Sequence, residues 1–326
     1  MKYRKFGRTG IEVSEVILGG GNVGGILIDP DDATKREAVR RVLAAGVNWI
    51  DTAAQYGNGK SEQALGWLLP ECGSAPRVST KIAVDVQSPV PLADQVEQRF
   101  AEGLARLKRD SVDLLQLHNR IGTQVGGRMI SVDHVLGKHG VVEGFERLRA
   151  RGAIRHMGIT AIGEAPSLCE VIASGRIHSA QVYYNLLNPS AAKRMPPSWT
   201  GHDFGGVIDT CRAHGVAVMA IRIFAAGVIA TDVRHGRESI LTANTTLAEE
   251  ERKAKAVFAA IGTGHGTRAQ VALRFVLSHP DVSCAIVGAA ELRHIDEALA
   301  AQAMGPLPGE VLSKLDGLYR TDFGRA

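Results

Sequence analysis

The sequence predicts an α/β chain closed into a (β/α)8 TIM barrel, and three observations carry that expectation. Short β-branched apolar runs recur along nearly the whole chain, stretches with helical spacing separate them, and no Gly/Pro/Ser-rich linker divides the sequence. The runs fall at residues 15–18, 48–52, 77–82, 112–118, 156–160, 180–185, 217–221 and 283–287, which makes eight. A strand buried on both faces reads as a continuous apolar run rather than an alternation, as parallel strands do.

Between the runs, amphipathic spacing predicts helices over 32–45, 61–69, 92–107, 140–150, 164–173, 204–214, 247–278 and 292–301, the seventh broken at Gly262-Thr263-Gly264. Gly46 and Gly152 stand where glycine can adopt the left-handed conformation that stops a helix. A single domain over residues 1–326 is expected. Ahead of the first run, residues 3–13 contain Gly7-Arg8-Thr9-Gly10 and read as an N-terminal β-hairpin closing the barrel bottom. Three long βα loops, 119–139, 186–200 and 224–246, each follow a strand and are expected to shape the substrate pocket with Arg120, Arg128, Met129, Trp199, Phe224 and Arg234.

Composition narrows the function classes. With 45% hydrophobic and 22% charged residues, the chain has the make-up of a folded globular protein. Its 38 basic and 34 acidic residues are interspersed, so a net charge of +4 points to no nucleic-acid partner. The basic start, Met1 to Arg8, is followed by no apolar stretch, and no window approaches the ~18 apolar residues of a membrane span. A cytoplasmic protein with no membrane partner is expected. Cys72, Cys169, Cys211 and Cys284 form no CxxC pair, and His134, His139, His202 and His265 lack ligand spacing. Free thiols, solvated histidines and no metal follow.

Barrel chemistry is concentrated at strand C-termini, and there the second, third and fourth runs carry Asp51, Lys81 and His118. Just beyond Asp51, the glycines after Tyr56 allow a short loop to fold the phenol over the same mouth. A free phenol ionises near ~10, so a tyrosine that moves a proton near neutrality needs a cation beside it. Lys81 supplies the charge, Asp51 holds Lys81, and His118 hydrogen-bonds a substrate oxygen. No nucleophile stands beside a base, so a hydride must come from a cofactor. Gly19-Gly20-Gly21-Asn22-Val23-Gly24-Gly25 fits a dinucleotide-binding fingerprint poorly, and is read as backbone that approaches a nicotinamide closely. Asp113, at a strand start, is expected to make a polar contact at the barrel bottom.

Taken together, Phe6-Gly7-Arg8-Thr9-Gly10, Asp51-Thr52-Ala53 with Tyr56-Gly57 and Ser61-Glu62, Ser79-Thr80-Lys81, and Asp113-Leu114-Leu115-Gln116-Leu117-His118 resemble the aldo-keto reductase superfamily. The resemblance continues through 154–160 and 181–185, and is nearest to the sugar and aldose dehydrogenase branches. It implies an NAD(P)-dependent oxidoreductase acting on a small aldehyde, ketone or sugar, with Tyr56 as general acid and base among Asp51, Lys81 and His118. It also implies that Thr160, Gln181 and Asp51 face the nicotinamide, and that Gly21 and Asn22 lie beside its ribose. Ile221, Ile223, Ala225 and Gly227 would border the ring and pyrophosphate, and Gly288, Ala289, His294 and Glu297 the adenosine end. NADP(H) is expected on family grounds, with NAD(H) also admitted.

Three positions depart from the family pattern: Ala161 in place of Asn, Ile221 in place of a stacking aromatic, and Gly288 to Glu291 in place of a phosphate-binding Lys and Ser or Thr. Two other readings stand beside the enzyme: a nicotinamide-binding redox sensor or regulatory subunit, and a barrel enzyme using Lys81 as a Schiff base.

Overall fold

The computed structural model describes residues 1–73, 75–234, 236 and 238–325, so His235 and Arg237 of the expected loop 224–246 lie outside the described residues. A hairpin of β1 (Tyr3–Lys5) and β2 (Glu12–Ser14) opens the chain. Four strands follow, β3 (Val16–Gly19), β4 (Trp49–Asp51), β5 (Arg77–Ile82) and β6 (Val112–Leu117). After a small ladder of β7 (Arg120–Ile121) and β8 (Met129–Ile130) come β9 (Ile154–Ala161), β10 (Ser179–Tyr183), β11 (Ala217–Ile221) and β12 (Val282–Gly288). Eight of these, all parallel, close in the order β3, β4, β5, β6, β9, β10, β11, β12 and back to β3. The (β/α)8 expectation holds, and each apolar run supplies one barrel strand. Strand ends differ from the expectation by at most two residues, at the start of β9 (Ile154 rather than 156) and the end of β10 (Tyr183 rather than 185).

Helices α1 (Asp32–Ala44), α2 (Lys60–Glu71) and α3 (Leu92–Leu107) cover the first half of the barrel. The second half is covered by α4 (Val132–Leu136), α5 (Val141–Ala150), α6 (Ala165–Ala173), α7 (Val207–Ala213), α8 (Leu247–Ile261), α9 (Arg268–Leu277), α10 (Leu292–Met304) and α11 (Gly309–Arg320). Local chemistry sets their ends. Asp31 caps α1 by accepting from the Thr34 N–H at 2.8 Å, and Gly46, at φ 86°, supplies the stop expected of it. Thr267 and Gln270 form a reciprocal capping box that starts α9 after the glycine break. Helices α4 and α11 were not expected from the sequence. The first, with the β7–β8 ladder, gives regular structure to much of the loop after β6.

The bottom of the barrel is sealed from the N-terminal side. Phe6 is fully buried with its ring 4.8 Å from that of Trp49, beside Ile17, Leu114, Met219 and Cys284. Gly7, at φ 54°, leaves no room for a side chain, since a Cβ there would stand 2.5 Å from the Gly215 carbonyl oxygen. The hairpin arginines then bind main-chain carbonyls. Arg4 donates to those of Leu277, His279 and Val282, and Arg8 to those of Gly175, Ile177 and His214. Asp113 makes its bottom contact by accepting from the Val78 N–H at 3.0 Å. Among the described residues, no helix is long and apolar enough to cross a membrane.

Candidate active site

The opposite end, at the strand C-termini, is where the ionisable residues meet. Strand register brings them together. Asp51 on β4 is the cross-strand partner of Ser79 on β5, and Lys81 lies two residues further along β5 on the same face. Lys81 is fully buried and Asp51 is 1% exposed. The Lys81 ammonium donates to Asp51 Oδ2 at 2.6 Å, to the Thr52 carbonyl at 2.8 Å and to the Tyr56 phenol oxygen at 3.1 Å. Three acceptors for three N–H groups satisfy the ammonium completely, which a buried charge requires.

Burial alone would push the Lys81 ammonium down, but the Asp51 carboxylate, followed by Tyr56, more than offsets it and holds the group above the ordinary lysine value. The other carboxylate oxygen of Asp51 accepts from Ser79 Oγ at 2.7 Å and from Gln181 Nε2 at 2.8 Å. Ser79 in turn accepts from Trp49 Nε1 at 3.0 Å, so the site is tied to the plug below it.

His118 follows the last residue of β6, and its half-buried ring meets the Tyr56 ring edge-on, with centroids 5.7 Å apart. Burial, then the charges of Lys81 and Arg128, hold its pKa well below 6.5, so the imidazole is neutral near pH 7. Its Nδ1 is buried without a hydrogen-bond partner among the described residues. The Tyr56 loop is fixed by its own neighbours: Asn22 Oδ1 accepts from the Gly57 N–H at 2.7 Å, and a Cβ on Gly21 would touch the Tyr56 ring at 3.6 Å. Below it, buried Thr52 donates to Ser61 on α2, and Glu62 accepts from Thr80 at 2.5 Å and from Arg106 at 2.6 Å.

Thr160 and Gln181 are register partners on β9 and β10. The Thr160 hydroxyl is buried without a hydrogen-bond partner among the described residues. A carboxylate only accepts, so the Gln181 atom facing Asp51 is the nitrogen, which leaves Oε1 as the acceptor on the other side. Ile221 ends β11 partly exposed, whereas Ile223 and Ala225 are buried and Gly227 turns at φ 101°. Ala289 is buried beneath the glycine loop, accepts from the Ile26 N–H at 3.0 Å, and would meet a Gly24 Cβ at 2.6 Å. Gly288 stays open, since a Cβ there would find no atom nearer than 4.0 Å. On α10, the His294 ring accepts from the Ala290 N–H at 3.3 Å, and Glu297 accepts from the Thr267 hydroxyl. The structure therefore gathers Asp51, Tyr56, Lys81, His118 and Gln181 into one network, with Thr160 beside it, while His294 and Glu297 stand on α10 after β12.

A domain model described as the aldo/keto reductase family matches residues 15–320. The chain belongs to the aldo/keto reductase family. It is thereby an oxidoreductase. It is 24% identical to an L-galactose dehydrogenase from Arabidopsis thaliana, covering 98% of this chain and 96% of that one. To a probable voltage-gated potassium channel subunit beta from Oryza sativa subsp. japonica it is 25% identical, covering 98% and 97%. The solved aldo-keto reductase AKR11C1 from Bacillus halodurans, in its holo form, shares the fold with a TM-score of 0.75 at 23% identity, over 98% of this chain and 96% of that one.

For this aldo/keto reductase, sequence reasoning missed Ser79 as the second anchor of Asp51, although its spacing of two from Lys81 on a strand puts both side chains on one face. It also read His134 and His202 as solvated. His134 closes a capping box with Ser131 at the start of α4, and His202 packs on Phe204 with Nε2 3.0 Å from the Gly163 carbonyl oxygen. Two expected pocket residues are engaged elsewhere: Trp199 tilts against Phe323 at 5.9 Å, and Arg234 pairs with Glu251 at 2.7 Å.

Proposed function

We propose that this protein transfers a hydride between NAD(P)(H) and the carbonyl or lactol carbon of a small aldehyde, ketone or sugar, with Tyr56 as the proton-transfer residue. The observation that carries this reading is the buried Lys81 ammonium, which bridges the Asp51 carboxylate and the Tyr56 phenol oxygen at 2.6 and 3.1 Å. In reduction, Tyr56 gives its proton to the substrate oxygen as the carbon accepts the hydride. The N–H···O contact from Lys81 stabilises the phenolate character that develops on the tyrosine. In oxidation the same proton returns to Tyr56. Asp51 keeps Lys81 charged and correctly aimed, which also disfavours the Schiff-base alternative, because a Schiff base forms from the neutral amine.

His118, neutral and edge-on to Tyr56, contributes a hydrogen bond to the substrate oxygen. An unpaired buried N–H is costlier than an unpaired acceptor, so the orphan Nδ1 favours the tautomer with its proton on Nε2. The mouth also suits a nicotinamide carboxamide. Gln181 Oε1 accepts from its NH2, and the unpartnered Thr160 hydroxyl supplies a second polar contact that Ala161 cannot. When bound, NAD(P)H supplies the hydride; Gly21, Asn22, Ile221, Ile223, Ala225 and Gly227 line its nearer half in this reading, and Gly288, Ala289, His294 and Glu297 the adenosine half. NADP(H) is the family expectation. A sugar substrate draws support from the relative named as an L-galactose dehydrogenase.

The test is Tyr56→Phe. Turnover of reduced cofactor against an aldehyde and aldose panel should fall by about 10²–10⁴-fold while cofactor affinity stays within a few-fold of the native protein. Activity that survives the substitution would remove Tyr56 from the proton transfer. The relative named as a potassium channel subunit beta favours a second reading, in which nicotinamide occupancy is sensed by a partner. Tight cofactor binding with no turnover of any panel member would select it.

A further inference from the structure

Directly after His118 the chain makes the two-residue strands β7 and β8, a ladder too short to contribute much stability. What the ladder does is hold two arginines side by side at the rim. The Arg120 N–H donates to the Arg128 carbonyl at 2.9 Å. The Arg128 guanidinium then turns over the reacting groups, and its Nη2 donates to Gln55 Oε1 at 2.5 Å and to the His118 carbonyl at 3.1 Å. Those partners are the residue preceding Tyr56 and the histidine opposite it.

A guanidinium has five N–H donors, and Nη2 supplies two of them. The remaining three, on Nε and Nη1, bond no described residue. Nor does any carboxylate of the described residues lie within 4.0 Å of Arg120 or Arg128, whereas Arg41, Arg147 and Arg176 elsewhere on the molecule are each paired at 2.5–2.9 Å. Glu164, which faces this loop, is turned onto the Thr123 N–H and hydroxyl at 2.9–3.1 Å. Burial, then repulsion from Arg120, push the Arg128 guanidinium below the ordinary arginine value. Both arginines are exposed at the rim, where solvent reaches their free donors, and a shared anion would relieve the repulsion between them.

The pair stands in the loop that follows β6, the strand across the barrel from β12. In the reading above, the cofactor phosphates lie along the β11 and β12 side, so the arginines are not needed for them. We propose that Arg128, backed by Arg120, is a specificity-determining oxyanion subsite, and that the substrate is a carbonyl compound carrying a carboxylate or phosphate close to its reacting carbon. This rests on the oxidoreductase reading and adds the charge of the substrate to it. The unused Nε and Nη1 donors of Arg128 lie on different edges of the guanidinium, so each would offer an oxyanion a single charge-assisted contact, with Arg120 adding charge beside it.

The experiment is steady-state kcat/KM on matched pairs, succinic semialdehyde against butanal and glyceraldehyde 3-phosphate against glyceraldehyde, with both NADH and NADPH. The charged member of at least one pair should be preferred by about tenfold or more, and Arg128→Gln should lower that charged-to-neutral ratio by about tenfold. Arg128→Lys, which keeps the charge but loses the guanidinium's separate donors, should fall between. The pair with the larger loss tells carboxylate from phosphate. If Arg128→Gln lowers both members by one common factor, the arginine is a loop clamp and the subsite is overturned while the oxidoreductase reading stands. If the native protein turns over none of the four, binding replaces turnover as the readout and the oxidoreductase reading is judged on the wider panel. Calorimetric titration of succinate and inorganic phosphate then decides the subsite alone, and equal affinity in native and Arg128→Gln protein overturns it.

Discussion

Gln181 reaches from β10 to the Asp51 carboxylate at 2.8 Å and shares Oδ1 with the Ser79 hydroxyl at 2.7 Å. One amide thus aims the charge pair and, through its other end, the proposed carboxamide contact. Gln181→Leu should weaken cofactor binding and lower kcat together, by about tenfold each, since a lost hydrogen bond to a charged group is worth about 1.5–3 kcal/mol. Cofactor titration and single-turnover rates read the two effects separately; a change in neither would detach Gln181 from the site.

Glu250, on the first turn of α8, is 6% exposed, and burial pushes its carboxyl up to about 7 against the pull of Arg222 and Lys253. A folded-state value above the ordinary 4.5 means that its contribution to stability is full below about pH 4.5 and is lost as pH rises through about 7. Glu250→Gln removes the penalty of the buried anion. Urea unfolding should find the variant more stable than the native protein by about 1–3 kcal/mol at pH 8 and equal to it at pH 4. A variant less stable at pH 8 would mean that the carboxylate is favourably paired there.

Glu291 pairs with Arg293 at 2.7 Å on the exposed start of α10, where the family resemblance expects the adenosine phosphate. A guanidinium already matched to a carboxylate has less to offer a 2′-phosphate. Glu291→Ala should therefore raise the NADP-to-NAD ratio of kcat/KM by about three- to tenfold, mostly through KM for NADP. An unchanged ratio would place phosphate recognition elsewhere.

Phe6 fills the barrel bottom against Trp49, remote from the mouth. Phe6→Ala leaves a cavity and should cost about 3–5 kcal/mol in chemical denaturation. Turnover per folded molecule should be retained. If kcat falls in step with stability, the Trp49–Ser79–Asp51 chain transmits the bottom packing to the site.

The barrel was legible because its strands are buried on both faces: Val78, Leu115, Ile159 and Val218 each sit in a short apolar run that no helix period explains. Asp51, Lys81 and His118 stood out because ionisable residues are unusual at the ends of such runs. What linear spacing could not convey were contacts that need the closed ring, such as Gln181 to Asp51 across 130 positions. The role of Arg128 was hidden for the same reason, since a loop arginine acquires a position only once the β7–β8 ladder folds it back over His118. Helix α11 is a different case. Its buried Val311, Leu315 and Tyr319 recur every four residues, a signal that was present and went unread.

The staples at the barrel bottom also set an order of events. Arg4 finds its carbonyl partners 273 to 278 positions downstream, and the β12–β3 seam joins segments nearly as far apart. During synthesis the hairpin must wait without these distant partners until almost the whole chain has emerged. Contacts so distant in sequence make the final closure slow, and a chain stalled before β12 keeps an open sheet edge that a second such chain could pair with.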